Sequence, residues 1–450
     1  MVMLHRIDLR DQEISERELV QVLPRAEVDV EKALESVRPI IAQVRERGGE
    51  ALRELAQKFD GVYPEHLRVP QEAIDEAVAQ LDPQIKHALE LSIAHNRTGH
   101  EMQVPKPVER EIVPGGIVRQ RWIPVRRVGL YVPGGLAVYP SSVVMNVVAA
   151  QVAGVQSIAV ASPPQEHFNG LPHPTILAAC GLLGVNEVYA VGGGQAIGMF
   201  AYGAKGQPGT SDGEVLCERV DVTTGPGNIY VAAAKRAVQG VVGIDAEAGT
   251  TEIGIIADDS ANPEYDAADL ISQAEHDPAA ASVLFTYSVE LADAVDAAVE
   301  RQVAQTKHAE RVKTALSGPQ SGIVLVKDVA DAITAANAYG AEHLEIQTRN
   351  NREVSDQIHN AGAIFLGSFS PVPLGDYIGG SNHVLPTGGT AAFASGLNTL
   401  DFLKSVQEIE YTREALLSLE EPLRALAVDE DLPAHADAVT ARNDAAPKSV

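Results

Sequence analysis

Val128-Gly129-Leu130-Tyr131-Val132, Ser157-Ile158-Ala159-Val160 and Glu187-Val188-Tyr189-Ala190-Val191 are short apolar runs separated by segments of helical length. Such runs, bounded by turn residues, read as strands, and their alternation with helices is the pattern of a parallel, doubly wound sheet. A second set begins at Glu252-Ile253-Gly254-Ile255-Ile256 and continues through Ser282-Val283-Leu284-Phe285, Ile323-Val324-Leu325-Val326 and Ala363-Ile364-Phe365-Leu366. The chain therefore reads as α/β, with two Rossmann-like parallel-sheet domains.

Outside these sets the period changes. Val30, Leu34, Val37, Ile41 and Val44 recur at helical spacing until Gly48-Gly49, so residues 29 to 100 are expected to form a helical lead-in. Beyond about residue 398 the pattern again suggests helix, and the end, with Ala445-Ala446-Pro447, is expected to fray. Gly203 to Glu214 is glycine-rich, polar and aperiodic, which suggests a mobile inserted loop.

Composition narrows the partners. The 450 residues are 45% hydrophobic, enough for more than one core, and carry a formal net charge of -26. Without a basic block to neutralise phosphates, nucleic acid is not expected as a partner, and neither is an anionic membrane surface. The first residues lack a signal-peptide core and no later segment is long and apolar enough to span a bilayer, so a cytoplasmic location is expected. Cys180 and Cys217 stand apart from each other and from any histidine, which leaves nitrogen and oxygen as the donors for any metal.

Three glycine-rich turns follow expected strands: Tyr131-Val132-Pro133-Gly134-Gly135, Gly192-Gly193-Gly194-Gln195-Ala196-Ile197-Gly198, and Gly225-Pro226-Gly227-Asn228. Glycine lets backbone amides approach a phosphate, and the carboxyl ends of parallel strands are where open sheets take ligands. The second turn misses the dinucleotide fingerprint, because its last glycine comes four residues after Gly194. Each turn alone is equally a tight connection; together, with Tyr131, Gln195 and Asn228, they favour a nucleotide.

Gln273-Ala-Glu-His276 places two metal-capable side chains at i and i+3 on one helical face, and Gly375-Asp376 adds a carboxylate. A site of Gln273, His276, Asp376 and one more histidine would carry a single ligand charge and stay receptive to a neutral imidazole or amine. Ala341-Glu342-His343-Leu344 falls where a helix gives way to a strand. There His343 could accept a proton and Glu342 orient water, or His343 could simply complement a helix terminus.

Taken in order, these motifs resemble the histidinol dehydrogenase family over about residues 25 to 440. The resemblance rests on Val128 to Asn146 with its Tyr139-Pro140-Ser141-Ser142, Gly192 to Gln195, Gly225 to Asn228, Ser272 to His276, Glu342-His343-Leu344 and Gly375 to Pro386. It implies one Zn2+ per subunit on Gln273, His276, Asp376 and His435, and an aldehyde-dehydrogenase-like overall fold. It further implies oxidation of L-histidinol to L-histidine with NAD, in which His343 is the base and Glu342 activates water. Thr251, Gln273, His276, His343, Asp376, His383, Glu430 and His435 would contact substrate, while Tyr131, Gln195 and Asn228 would bind NAD. Because Glu430 and His435 belong to a segment that in the family reaches into the partner's site, a homodimer with shared active sites is implied.

The corresponding division of the chain is an arm over 1–24, a first α/β domain over 25–130 and 250–397, an NAD-binding α/β domain over 131–249, and a helical dimerisation tail over 398–450. Two departures stand out: Thr251 replaces the family's usual serine, and the Gly203 to Glu214 insertion is longer than usual. The rival readings are a paralogous zinc and NAD dehydrogenase acting on another amino alcohol or a sulfonated diol, and a zinc hydrolase.

Overall fold

The computed structural model describes residues 4–12, 15–26, 30–134, 138–247 and 249–443. Gly135 and the terminal Ala445-Ala446-Pro447, named above, lie outside the described residues. The chain divides into two compact units, one of Met1–Gln103 with Val125–Phe402, the other of Val104–Pro124 with Leu403–Val450.

The first unit holds both parallel sheets. The larger has six strands, in the spatial order His5–Asp8, Gly322–Leu325, Ala281–Thr286, Glu252–Ala257, His343–Gln347 and Ala363–Leu366. Its central strands are buried on both faces, as a parallel sheet covered by helices must be. Alternation sorts their side chains: Ile253 and Ile255 join a core with Leu270, Leu284 and Val295, while Ile256 joins Val283, Phe285, Leu344 and Tyr339 on the opposite face. The edge strand His5–Asp8 comes from the N-terminal arm, where four residues carry too short a pattern to be read in advance.

The smaller sheet has five strands, ordered Gly243–Ile244, Val222–Thr224, Arg127–Tyr131, Ser157–Ser162 and Val188–Ala190. The helix Val30–Arg47 buries Leu34, Val37, Ile41 and Val44 in the core of this sheet, together with Ile197, Phe200 and Ala234. The helical lead-in thus packs on the smaller sheet, not with the larger one as its assignment to the first α/β domain implied. Periodicity shows that a face is apolar but not which apolar face it meets.

Gly203 to Glu214 also differs from expectation. Ala204–Lys205 pairs antiparallel with Val215–Cys217, and the loop between them is held by Arg53, whose guanidinium lies 2.7 and 2.8 Å from the two Asp212 oxygens and 3.1 Å from Gln207. Both partners of this ion pair are buried, so the loop is anchored by a contact from a residue far away in sequence.

In the second unit Val108–Val113, Gly116–Pro124 and Leu403–Tyr411 form an antiparallel sheet, followed by the helices Glu420–Asp429 and Pro433–Asn443. The tail expected to be helical from 398 therefore opens with a strand. Most of Leu403–Tyr411 is exposed, and a strand without a buried face has no apolar alternation to reveal it. Residues 104–124, expected with the first α/β domain, group with this unit.

Candidate active site

The site grows from three elements of the larger sheet. Asn262 caps the helix Pro263–Ala274 by accepting from Glu264 N at 3.0 Å, and Pro263 occupies its first turn. The helix ends at Ala274, and His276 N donates to Gln273 O at 3.3 Å. His276 therefore stands one turn past Gln273 but beyond the regular helix. Gln273 is buried, facing the strand His343–Gln347.

In that strand residues 343, 345 and 347 share one face. His343 opens it, paired with Ile253. Gln273 Oε1 and His343 Nδ1 are 3.0 Å apart. An amide oxygen only accepts, so Nδ1 carries the proton and Nε2 is left with its lone pair. Nε2 is buried and has no hydrogen-bond partner; its nearest acid is Asp376 Oδ1 at 3.9 Å, too far for a hydrogen bond. Burial, reinforced by His276 and His383, pushes the His343 imidazole down to about 3, so it is neutral.

Thr251 joins the two halves. Gln273 Nε2 donates to its hydroxyl at 2.5 Å, and the hydroxyl donates to Glu342 Oε2 at 2.5 Å. Glu252 N donates to the same oxygen at 3.0 Å. Burial lifts the Glu342 carboxyl to about 8, outweighing these two bonds. Burial likewise lifts Asp376 to about 7 and lowers His383 to about 4. Thr251 and Glu342 stand just before their strands and His343 at the head of its own, so this group occupies the amino ends of the larger sheet.

Beneath it lies a second polar layer. Glu345 Oε1 accepts from Val372 N at 3.1 Å, Oε2 accepts from Gln347 Nε2 at 3.2 Å, and the carboxyl shares a hydrogen bond with Asp269. Two carboxylates can hydrogen-bond only if one holds a proton, and burial raises both, Asp269 to about 6. Glu345 thereby ties together the strand carrying His343, the helix carrying Gln273 and the Val372–Tyr377 helix carrying Asp376.

At the smaller sheet the three glycine turns meet around Tyr131. Its hydroxyl accepts from Gly193 N at 3.1 Å. A Cβ on Gly225, whose φ is +124°, would lie 2.0 Å from Tyr131 O. Asn228 caps the Ile229–Val238 helix through Tyr230 N and Val231 N, at 3.0 and 3.3 Å, and Gln195 is buried in the first turn of Gly193–Tyr202. The strand order reverses between Arg127–Tyr131 and Val222–Thr224, the place where open α/β sheets bind ligands. Lys235 Nζ bonds Asp245 Oδ1 at 2.6 Å and Gly225 O at 3.0 Å, while Asp245 Oδ2 accepts from Gly225 N at 2.9 Å, so this turn is held rigidly.

The structure thus gathers Thr251, Gln273, Glu342, His343 and Asp376, with His276 and His383 close enough to bear on the charge of His343. Glu430 and His435 lie in the other unit, both exposed, with His435 in the first turn of Pro433–Asn443. Among the described residues no three His, Cys, Asp or Glu side chains cluster as a metal group. The expected donors of the first unit include only two of those types besides Gln273.

The histidinol dehydrogenase family model matches residues 23–443. The chain belongs to the histidinol dehydrogenase family. It is 59% identical to histidinol dehydrogenase from Thermobifida fusca over 439 residues, covering 98% of this chain and 97% of the relative. It is 57% identical to that of Bifidobacterium longum over 437 residues, covering 97% and 93%. A crystal structure of histidinol dehydrogenase from Elizabethkingia anophelis superposes with a TM-score of 0.89 at 31% identity, covering 98% of both chains. Family membership makes the protein an oxidoreductase, and no helix among its described residues is long and apolar enough to cross a membrane.

In this histidinol dehydrogenase family member, residues not singled out in the sequence support the site. Asp269 is one helical turn before Gln273, and Glu345 two residues after His343. A signal existed, since both put an acid where the helical and strand periods demand an apolar residue. Glu252 was quoted only as a strand residue. It sits 3.6 Å from Arg25 Nη1, accepts from Gly388 N at 3.1 Å, and is raised by burial to about 7.

Proposed function

We propose that the protein oxidises L-histidinol to L-histidine through the aldehyde, using two NAD in turn, as the last two steps of histidine biosynthesis in the cytoplasm. The observation that carries the reading is the neutral, buried His343, with Nδ1–H held by Gln273 and Nε2 left free, beside Glu342. His343 Nε2 takes the hydroxyl proton as hydride passes from the carbinol carbon to the first NAD, releases it to solvent, and then takes a proton of the water that attacks the aldehyde before a second hydride passes to the second NAD. Glu342 orients and activates that water. Neither cysteine is available as a nucleophile: burial pushes Cys180 to about 12 and Cys217 to about 11, far from the thiolate.

The residues fit a zinc ion of low ligand charge. Burial lowers the His276 imidazole and so favours its neutral, donor form, and the Gln273 oxygen that accepts from His343 retains a second lone pair. Gln273, His276 and Asp376 would hold the ion, with His435 of a second copy completing the set in a homodimer. When bound, zinc supplies Lewis acidity that fixes the substrate's imidazole and amine. Thr251, His383 and Glu430 complete the substrate contacts, and the glycine turns around Tyr131 and Gly225, with Gln195 and Asn228, take NAD.

The test is NADH production from L-histidinol before and after chelation, with metal analysis of the same samples. Activity lost on chelation and restored by zinc is the expected result. A larger response to another amino alcohol or a sulfonated diol, or product release from an ester without NAD, overturns the reading.

A further inference from the structure

We propose that the helix Pro83–Glu101 acts as a positioning clasp that sets the separation of Asp376 and His383, with Asn96 and Gly99 its decisive residues. The inference rests on the reading that these two side chains serve the substrate and metal site.

Asp376 and His383 are joined by Tyr377 to Asn382, a segment that contains Gly379 and Gly380, the latter at φ +84°. Such a segment has wide conformational freedom and would not by itself hold a fixed spacing. One face of the helix grips it. Ser92 Oγ donates to Tyr377 O at 2.5 Å, and His95 Nδ1 to Ile378 O at 2.8 Å. Asn96 Nδ2 donates to Ser381 O at 2.7 Å, and Asn382 Nδ2 lies 3.1 Å from His100 Nε2. Between them Gly99 faces Gly380 so closely that a Cβ would lie 1.8 Å from Gly380 O.

Positions 92, 95, 96, 99 and 100 are spaced by three and four, a single stripe along the helix. Between them they touch every residue from 377 to 382 except Gly379. The stripe is costly for a helix to carry. Asn96 and His100 are almost wholly buried, and a buried amide or imidazole is tolerated only with partners. Asn96 Nδ2 is shared between Ser381 O of the loop and Met145 Sδ, and His100 between Asn382 Nδ2 of the loop and Gln103 Oε1, so each buried polar group of the stripe draws one partner from the loop. Since the gripped residues run from the neighbour of Asp376 to the neighbour of His383, any shift of the loop moves one against the other. Displacements of about 1 Å are enough to lose binding geometry.

The test uses zinc-loaded, full-length protein and L-histidinol binding measured by calorimetry without NAD, with thermal midpoints recorded alongside. Asn96→Ala and Gly99→Ala are expected to weaken binding about tenfold or more, whereas Thr98→Ala, on the same helix but facing away, leaves it unchanged. Ser92→Ala serves as a milder variant if either of the first two fails to fold. In a His383→Asn background Asn96→Ala should add less than about twofold, because a residue acting through His383 is not additive with its loss. Lowered midpoints with unchanged affinity, or full additivity, overturn the proposal. If His383→Asn itself binds L-histidinol like the parent, it is the underlying site reading that fails.

Discussion

Gln273 Oε1 accepts the Nδ1–H of His343 at 3.0 Å, and this one bond determines which nitrogen of the base keeps its lone pair. Its donor side is used as well, since Gln273 Nε2 reaches Thr251 Oγ1. The residue thus orients the base and, through Thr251, the Glu342 carboxyl. Gln273→Ala is expected to lower kcat by about 10- to 100-fold, as loss of an orienting partner does, and to reduce zinc retained after dialysis. A variant with full turnover and full zinc content would show that the tautomer is set elsewhere.

His343→Asn removes the proton acceptor while leaving a polar side chain. Turnover should fall by about 10²- to 10⁴-fold, the usual contribution of a positioned base. Calorimetric binding of L-histidinol should stay within about threefold, given that Asn can still pair with Gln273. Equal losses in both measurements would place His343 among the binding groups alone.

Glu342→Gln separates chemistry from stability. Burial raises the Glu342 carboxyl from 4.5 to about 8, so the folded state holds its proton more tightly than the unfolded chain. The stabilisation from that proton is complete below about pH 4.5 and is lost as pH rises towards 8. The glutamine variant, neutral throughout, should match the parent at low pH and exceed it at pH 8, by at most about 5 kcal/mol at about 1.4 kcal/mol per unit. Thermal midpoints of the metal-free proteins at pH 5 and pH 8 check this. In turnover, the same variant should stop near one NADH per histidinol.

Thr251→Ser keeps the hydroxyl and should retain activity within about threefold. Thr251→Val keeps the shape but leaves Gln273 Nε2 and Glu342 Oε2 each short of a partner, at a cost of about 1–3 kcal/mol. Denaturant unfolding and kcat of the two variants should therefore diverge. A valine variant as stable and active as the serine variant would mean the hydroxyl bridges nothing.

Gly225→Ala tests the NAD site proposed at the glycine turns. The new Cβ would collide with Tyr131 O, and the backbone at φ +124° resists any side chain. KM for NAD should rise by about tenfold or more, with L-histidinol binding in the absence of NAD unchanged. An unaltered KM would move the nucleotide away from this turn.

Much of the frame was legible in advance because it depends on local periods. The runs at 128, 157, 187, 252, 282, 323 and 363 became strands within a residue or two; all but the partly exposed edge strand at 363 are largely buried, which needs an unbroken apolar run. The strand Leu403–Tyr411 was not legible, as exposed residues carry no such constraint. Nor was the anchoring of Gly203 to Glu214, which depends on Arg53 meeting Asp212. Nor was the pairing of Asp269 with Glu345, which exists only once the helix and the strand come face to face.

By itself the sequence determined the buried strands of the two parallel sheets and which side chains could do proton or metal chemistry, because spacing and residue type are properties of the chain. Only the tertiary structure decided that His343 is neutral with Nε2 free, that Thr251 links Gln273 to Glu342, and that the Pro83–Glu101 helix grips the loop before His383. Burial, tautomer and hydrogen-bond partners arise when segments far apart in the chain meet, so no local period can encode them.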